Sequence, residues 1–255
     1  MSDHILEYWQ SQAKKHGISH RASWGDNLAI DLEIKEIQKH IKKGDAVLDI
    51  GCANGYSMMH YVSCKPKSIT GIDFSKEMIK QAKMLDLNKI ECQIHFDHGD
   101  IRNLPYEDNS FDMVYTTRVL INLPNWENQK EGINECIRVC RPGGKVLFSE
   151  GFFEPMELLN KMRALCSLSS LKQHEFNRYI KFEELKSFLT EKLINYEQID
   201  FSSMYYLGSR FVRELVTDPS DYTGYSNPIN KIFYEIEQSY SGGGFGIQQM
   251  FVLNL

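Results

Sequence analysis

The stretch from Ala46 to Gly55, AVLDIGCANG, constrains this chain more than any other part of it. Apolar residues lead into Asp49, and Gly51, Ala53 and Gly55 then alternate with Cys52 and Asn54. Small residues let the backbone turn sharply out of a buried strand and approach a ligand closely. A helix after such a turn offers free N–H groups to that ligand. The run therefore predicts a nucleotide-like cofactor at the first turn of an α/β sheet.

The next strand and its end narrow the cofactor. This second apolar strand, Ser68 to Ile72, ends in Asp73, about twenty residues beyond Gly51. An acid at that distance sits at the tip of the neighbouring strand, where it can accept hydrogen bonds from both ribose hydroxyls. Dinucleotide enzymes share the acid, so the glycine pattern discriminates instead. A dinucleotide fingerprint wants a small residue at its sixth position, where this chain has Tyr56. A nicotinamide oxidoreductase is thereby disfavoured. Further on, His98-Gly99-Asp100-Ile101 comes after a strand-like stretch, Glu91 to Phe96, so that Asp100 can accept from an adenine amino group while Ile101 covers the ring. Ser110 to Thr116 is another strand, and Arg141-Pro142-Gly143-Gly144 makes a tight turn into Lys145-Val146-Leu147-Phe148.

The ordered set LDIGCANG, GIDFS, HGDI, FDMVY and RPGGKVLF closely resembles the class I (Rossmann-like) S-adenosylmethionine-dependent methyltransferases of small-molecule type. The resemblance covers residues 46 to 151, somewhat under half the chain. It departs at Ala53, where the family usually has its middle glycine. It implies an α/β fold, a doubly wound, mostly parallel sheet of about seven strands with the last antiparallel. It also implies S-adenosylmethionine as cofactor and S-adenosylhomocysteine as product. On that reading Asp49 and the loop Gly51, Cys52, Ala53, Asn54, Gly55 hold the methionine part. Asp73 holds the ribose, Asp100 with Ile101 the adenine, and Phe74, Ser75, Thr116 and Thr117 complete the cofactor-binding set.

At 255 residues the chain fits one sizeable α/β domain with insertions. A net charge of −5 argues against a nucleic-acid backbone as partner, since phosphate binding needs concentrated cations. The start MSDHILEYWQ lacks the basic segment and apolar run of a signal peptide, and no apolar stretch approaches the ~18 residues of a membrane span. Six cysteines show no disulfide framework, and Cys136 and Cys140, four apart, read as small buried hydrophobes rather than a metal pair. These features predict a reduced, cytoplasmic protein with a small-molecule substrate, no nucleic-acid or membrane partner and no metal. The oligomeric state stays open.

Residues 1 to 45 read as an N-terminal helical lid: Ile5, Leu6, Trp9 and Ala13 recur with helical spacing, as do Leu28, Leu32, Ile34, Ile37 and Ile41. Between them His16 to Asn27 is a polar, glycine-broken loop, either folded over the cofactor or lying on the surface. Residues 46 to 255 form the main domain. Helices are expected over Tyr56–Ser63, Ser75–Leu85 with Ser75 as N-cap, Asn128–Cys140, Met156–Leu171 and Phe182–Leu193. A strand is expected over Tyr196–Ser203 and the last strand over Ile247–Leu253. An aromatic cap of about 204–246 is inserted before that last strand, with Ser241 to Gly246 as a flexible return.

Methyl transfer from a sulfonium needs an acceptor lone pair docked about 3 Å from the methyl carbon, and a base only where the acceptor is protonated. Candidates at the predicted pocket edges are His174 as base, with His16 and His20 behind it, and Arg118 as an orienting or merely ion-paired group. Glu150 can be acid, base or helix-cap acceptor. Trp24, Asn122, Asn177, Tyr205, Tyr206 and Arg210 are expected to bind the substrate, whereas Arg163 and Arg178 read as solvated helix charges. This polar cluster predicts transfer to an O or N atom of a small polar, anionic or sugar-like acceptor, such as a polysaccharide or nucleotide-linked precursor. The competing reading is a module of the same fold that holds the cofactor without turnover.

Overall fold

The computed structural model describes residues 3–88, 90–218, 221–222 and 225–255. Met1 and Ser2 of the expected lid, and Pro219, Ser220, Thr223 and Gly224 of the expected cap, lie outside the described residues.

Alternation of side chains builds the centre of the sheet. In β1 (Ala46–Ile50), Val47 joins the hydrophobic cluster on one face while Leu48 and Ile50 join the cluster on the other. Beside it run β2 (Ser68–Asp73) and β4 (Phe111–Thr117), both parallel to β1. With β3 (Gln93–His98), β5 (Cys140–Gly151), β6 (Asn195–Ile199) and β7 (Gln248–Asn254) they form a seven-stranded sheet in the order β3-β2-β1-β4-β5-β7-β6. β7 is antiparallel to both of its neighbours. Strand order reverses between β1 and β4, which opens a crevice beyond the carboxyl ends of the strands.

Helices α1 (Asp3–His16) and α2 (Asn27–Gln38) precede the sheet. The loop between them contains a 3-10 turn, His20–Ala22, whose Ser19 cap accepts from the Arg21 N–H at 3.3 Å. Asp26 caps α2 by accepting from the Ala29 N–H at 3.2 Å. Further along the chain come α3 (Met58–Tyr61), α4 (Lys76–Ala82), α5 (Trp126–Val139), α6 (Phe153–Leu165) and α7 (Phe182–Glu191). Ser75 is the N-cap of α4, accepting from Met78 N at 3.3 Å.

Several boundaries differ from the sequence expectation. α6 stops at Leu165 rather than Leu171, because the serines beyond it favour turns, and Ser167 takes a left-handed φ of 56°. β6 ends at Ile199, and the residues after it start a helix instead of extending the strand. The Arg141 to Gly144 turn is a kink within β5: Gly143 has φ +79°, and the pairing jumps from Phe111↔Cys140 to Met113↔Lys145.

The segment between β6 and β7 is helical: α8 (Ser203–Leu207), a π-helical turn Gly208–Val212, α9 (Arg213–Val216) and α10 (Pro228–Glu237). It leans on α2, where the Tyr234 hydroxyl donates to Asp31 at 2.5 Å. The glycine-rich return is tied down rather than loose. Gly244 N donates to Asp200 at 2.8 Å and Phe245 N to Ser203 Oγ at 3.0 Å.

Candidate active site

At the crevice a cleft of about 700 Å³ is bounded by the loop after β1, the end of β2 and the turn after β4. The loop bends through left-handed residues at Gly51 (φ +76°), Ala53 (φ 48°) and Gly55 (φ +77°). A Cβ at Gly51 would lie 2.1 Å from Val119 Cγ2, so only glycine fits there. Asp73 fastens the loop: its carboxylate accepts from Ala53 N at 3.0 Å and from Ser75 N at 2.8 Å. Burial pushes its pKa up to about 6.

Asp49 is buried beside them, and its Oδ1 has no hydrogen-bond partner. Burial, with the nearby Asp73 and Glu33 charges adding to it, pushes its pKa up to about 8. Asp49 lines the cleft, and a carboxylate there suits the ammonium of an amino-acid ligand. The residues present thus fit a cofactor with a methionine end.

Cys52, Ala53, Asn54, Phe74 and Thr117 also line this half, whereas Gly55, Ser75, Thr116, Asp100 and Ile101 do not. Asn54 reaches the other way, donating to the carbonyls of Gly17 at 2.7 Å and Ser19 at 2.8 Å, so it holds the N-terminal loop against the glycine turn. Asp100 is paired with Arg102 through Nε at 3.0 Å and Nη2 at 2.6 Å. Ile101 is core, packed against Gly132. Thr116 donates to Glu150 at 2.7 Å.

Glu150 is fully buried and also accepts from Val119 N (3.0 Å), Leu120 N (3.1 Å) and Ile121 N (3.3 Å). Of the roles open to it, the structure builds the cap acceptor, and burial lifts its pKa to about 7.

A second cleft of about 720 Å³ adjoins the first and shares Trp9, Ser23, Arg118 and Asn122 with it. It brings together Trp24, His174, Asn177 and Tyr206 with Tyr8, Phe176, Tyr179 and Gln248. Arg118 sits in a left-handed conformation (φ 57°) after β4, 4.8 Å from the Trp24 ring. Its Nη1 meets Glu33 Oε2 at 2.5 Å, while Glu33 Oε1 accepts from Ser149 Oγ at 2.6 Å and from Gln248 Nε2. The His174 ring lies 4.0 Å from Phe176 and 5.5 Å from Tyr8. It makes no hydrogen bond among the described residues.

Three further side chains do something other than the sequence suggests. Tyr205 is buried outside both halves and donates to Asp26 at 2.5 Å. Arg210 pairs with the same Asp26 at 2.7 Å and lines an outer groove with His174 and Asn177. Arg163 is buried rather than solvated, bound to Ser169 O, Arg210 O and Glu214. His20 binds the Trp24 carbonyl at 3.1 Å, and His16 lines a groove outside both halves.

Glu33, Ser149, Gln248 and Trp9 do not stand out as site residues in the sequence. Glu33 carries a signal all the same, since it stands four residues from both Ala29 and Ile37 on the stripe of α2 that faces the core. No group of three or more His, Cys, Asp or Glu residues placed to hold a metal occurs among the described residues. No helix there is long and apolar enough to cross a membrane.

Residues 47–144 match the family model described as a methyltransferase domain. The demethylmenaquinone methyltransferase of Oceanobacillus iheyensis is 38% identical over 118 residues, 44% of this chain and 46% of that protein. The tRNA U34 carboxymethyltransferase of Nautilia profundicola is 30% identical over 182 residues, 69% of this chain and 54% of that protein. The chain spans about half the length of the curated relatives it matches. A Thermotoga maritima structure described as an S-adenosylmethionine-dependent methyltransferase, possible histamine N-methyltransferase, superposes with a TM-score of 0.59. It covers 98% of this chain and 99% of its own at 15% identity, a likeness of fold.

Proposed function

We propose, from the premise that this chain carries a class I S-adenosylmethionine-dependent methyltransferase domain, that the protein methylates a small molecule held in the aromatic-walled half of the cleft. One observation carries the reading: a cofactor half and an acceptor half adjoin and meet at Arg118 and Asn122. S-adenosylmethionine, when bound, supplies a methyl group already activated on a sulfonium.

The work left to the chain is to bind, orient and keep water out. Asp49 offers its carboxylate to the ammonium of the methionine part. Asp73 keeps a lone pair on each oxygen, beyond those taken by Ala53 and Ser75, for ribose hydroxyls. Trp9, Trp24 and Phe176 wall the acceptor half, and Arg118 stands at the junction with its guanidinium fixed by Glu33 and Trp24.

A small molecule is favoured over RNA, although one relative is named for a tRNA. Arg118 is the one Lys or Arg among the described residues lining the acceptor half, it is already paired, and the chain carries −5. The same pairing removes the support for an anionic acceptor, because Arg118 and Arg210 each answer a buried carboxylate. A polar acceptor that is neutral or cationic remains the reading.

Thermal unfolding with S-adenosylmethionine, S-adenosylhomocysteine, NAD and NADP, each added separately, tests the cofactor. Ligand at 100 times its Kd adds about 2.7 kcal/mol, a rise of about 5–10 °C for the first two only. S-adenosylhomocysteine release is then monitored with small-molecule panels and with tRNA. No rise with S-adenosylmethionine or S-adenosylhomocysteine, or release with tRNA alone, overturns the proposal.

A further inference from the structure

We infer that the methyl acceptor is elongated, with its reacting end in the acceptor half and a second ring, sugar or aromatic, in the outer groove. This deepens the proposed function and rests on it. The groove and the acceptor half adjoin over a broad front, since Trp24, His174, Asn177, Tyr179, Tyr206 and Ile247 line both. An acceptor confined to the inner half would let water in from the groove beside the reacting group. A distal ring closes that entrance.

The groove wall is built and held. Residues 208–212 form a π-helical turn, a form that concentrates at functional sites. The turn is wedged against α10: a Cβ at Gly208 would lie 2.0 Å from Phe233 Cγ. From this turn Arg210 lies over the rings of Tyr206 and Tyr225, 5.1 Å from each centroid, while its Nη2 is fixed on Asp26 at 2.7 Å. Rings held in this way lose little freedom when a ligand arrives.

The lining offers ring contact rather than charge. Trp24, Tyr179 and Tyr225 are half-buried and so open to a ligand, as are the amides of Gln173 and Asn177. No Asp or Glu among the described residues lines the groove. Of its two cations, Arg210 is answered by Asp26, and Lys172 is exposed to water, where a charge gains little from a partner. Aromatic side chains beside amides suit a flat ring. An aromatic ring packs against them, and a sugar does so through its C–H face while its hydroxyls bond the amides.

The test is isothermal titration of the protein loaded with S-adenosylhomocysteine, comparing tyramine with two extended forms, N-benzyltyramine and tyramine O-β-D-glucoside. At least one extended form is expected to bind ten-fold or more tighter than tyramine, and which one does so tells an aromatic ring from a sugar. Tyr225 lines the groove and neither half of the cleft. Tyr225→Ala should therefore cut that gain at least three-fold, with S-adenosylhomocysteine and tyramine affinities within two-fold of wild type, and Tyr225→Phe should keep it. No gain from either extension, or a gain that Tyr225→Ala leaves intact, overturns the inference, as does binding of none of the three. Should S-adenosylhomocysteine itself fail to bind, the cofactor reading falls instead, and the same titrations on the free protein still decide whether the groove takes a ring.

Discussion

Glu33 Oε2 lies 2.5 Å from Arg118 Nη1, which ties α2, upstream of the glycine loop, to the turn after β4. The side chains are 1% and 19% exposed, so the pair is largely withdrawn from water. Removing one partner of a buried pair costs about 3–5 kcal/mol, because the other charge is left unanswered. Glu33→Gln keeps the size and hydrogen-bonding shape but not the charge. Because Arg118 retains some solvent, about 3 kcal/mol is expected, a fall in Tm of about 6–12 °C. Adding Arg118→Met should recover part of the loss, which differential scanning calorimetry of both variants would read.

Asp49 makes the unliganded protein sensitive to alkali. Its folded pKa, about 8, lies above the ordinary 3.8, so between those values the folded chain keeps a proton that the unfolded chain has lost. Stability is greatest on this account below pH 4 and is lost as pH rises through 8. Asp73, raised to about 6, and Glu150, raised to about 7, act in the same direction over narrower windows. Tm is therefore expected to fall between pH 6 and 8.5, and Asp49→Asn to flatten the slope. A cationic cofactor end would favour the ionised carboxylate, so binding near pH 7 should release a proton. Titration in two buffers of different ionisation enthalpy detects that release, and the Asn variant should lack it.

Asp73→Ala removes the acceptor of two backbone N–H groups, Ala53 and Ser75. The expected loss is about 1–3 kcal/mol in S-adenosylhomocysteine affinity, with some loss of stability because the loop after β1 loses its anchor. Unchanged affinity in a direct titration would show that the end of β2 does not reach the cofactor.

How much of this is legible depends on how far apart the partners lie in sequence. The sheet is readable because each strand shows its own alternation, and the glycine turn because Gly51 tolerates no Cβ. The Asp100–Arg102 pair is also readable, being two residues apart, and it competes with the adenine role given to Asp100. Asn54 illustrates the opposite case. Its small polar side chain in the motif reads as a ligand contact, and only the folded N-terminal loop reveals that Gly17 and Ser19 accept from it. Tyr205 and Arg210 converge on Asp26 from the far end of the chain, a meeting no local pattern encodes.

Asn54→Ala therefore tests the hold on the N-terminal loop rather than the cofactor. Without its two hydrogen bonds, the loop that carries Ser23 and Trp24 to the cleft loses its hold on the glycine turn. About 1–3 kcal/mol is expected from leaving those carbonyls unpaired. Limited proteolysis should show faster cleavage within 16–27, slowed again by S-adenosylhomocysteine. Cleavage at the wild-type rate would mean that α1 and its loop are held by Trp9 and Ala22 packing alone.

His174 and Arg118 separate catalysis by a base from catalysis by orientation. A general base contributes about 10²–10⁴-fold and is usually held in register by a third group. The His174 ring makes no hydrogen bond among the described residues and rests in tilted contact against Phe176 and Tyr8. His174→Ala is therefore expected to lower kcat by less than about ten-fold and to leave the pH–rate profile in place. Arg118→Ala removes the partner of Glu33 and the cover of Trp24 at the junction of the two halves, and should lower kcat/KM far more. Single-turnover rates for both variants, measured across pH 6 to 9, decide between the two. A loss above about 10²-fold in His174→Ala, with its pH dependence abolished, would restore histidine as the base.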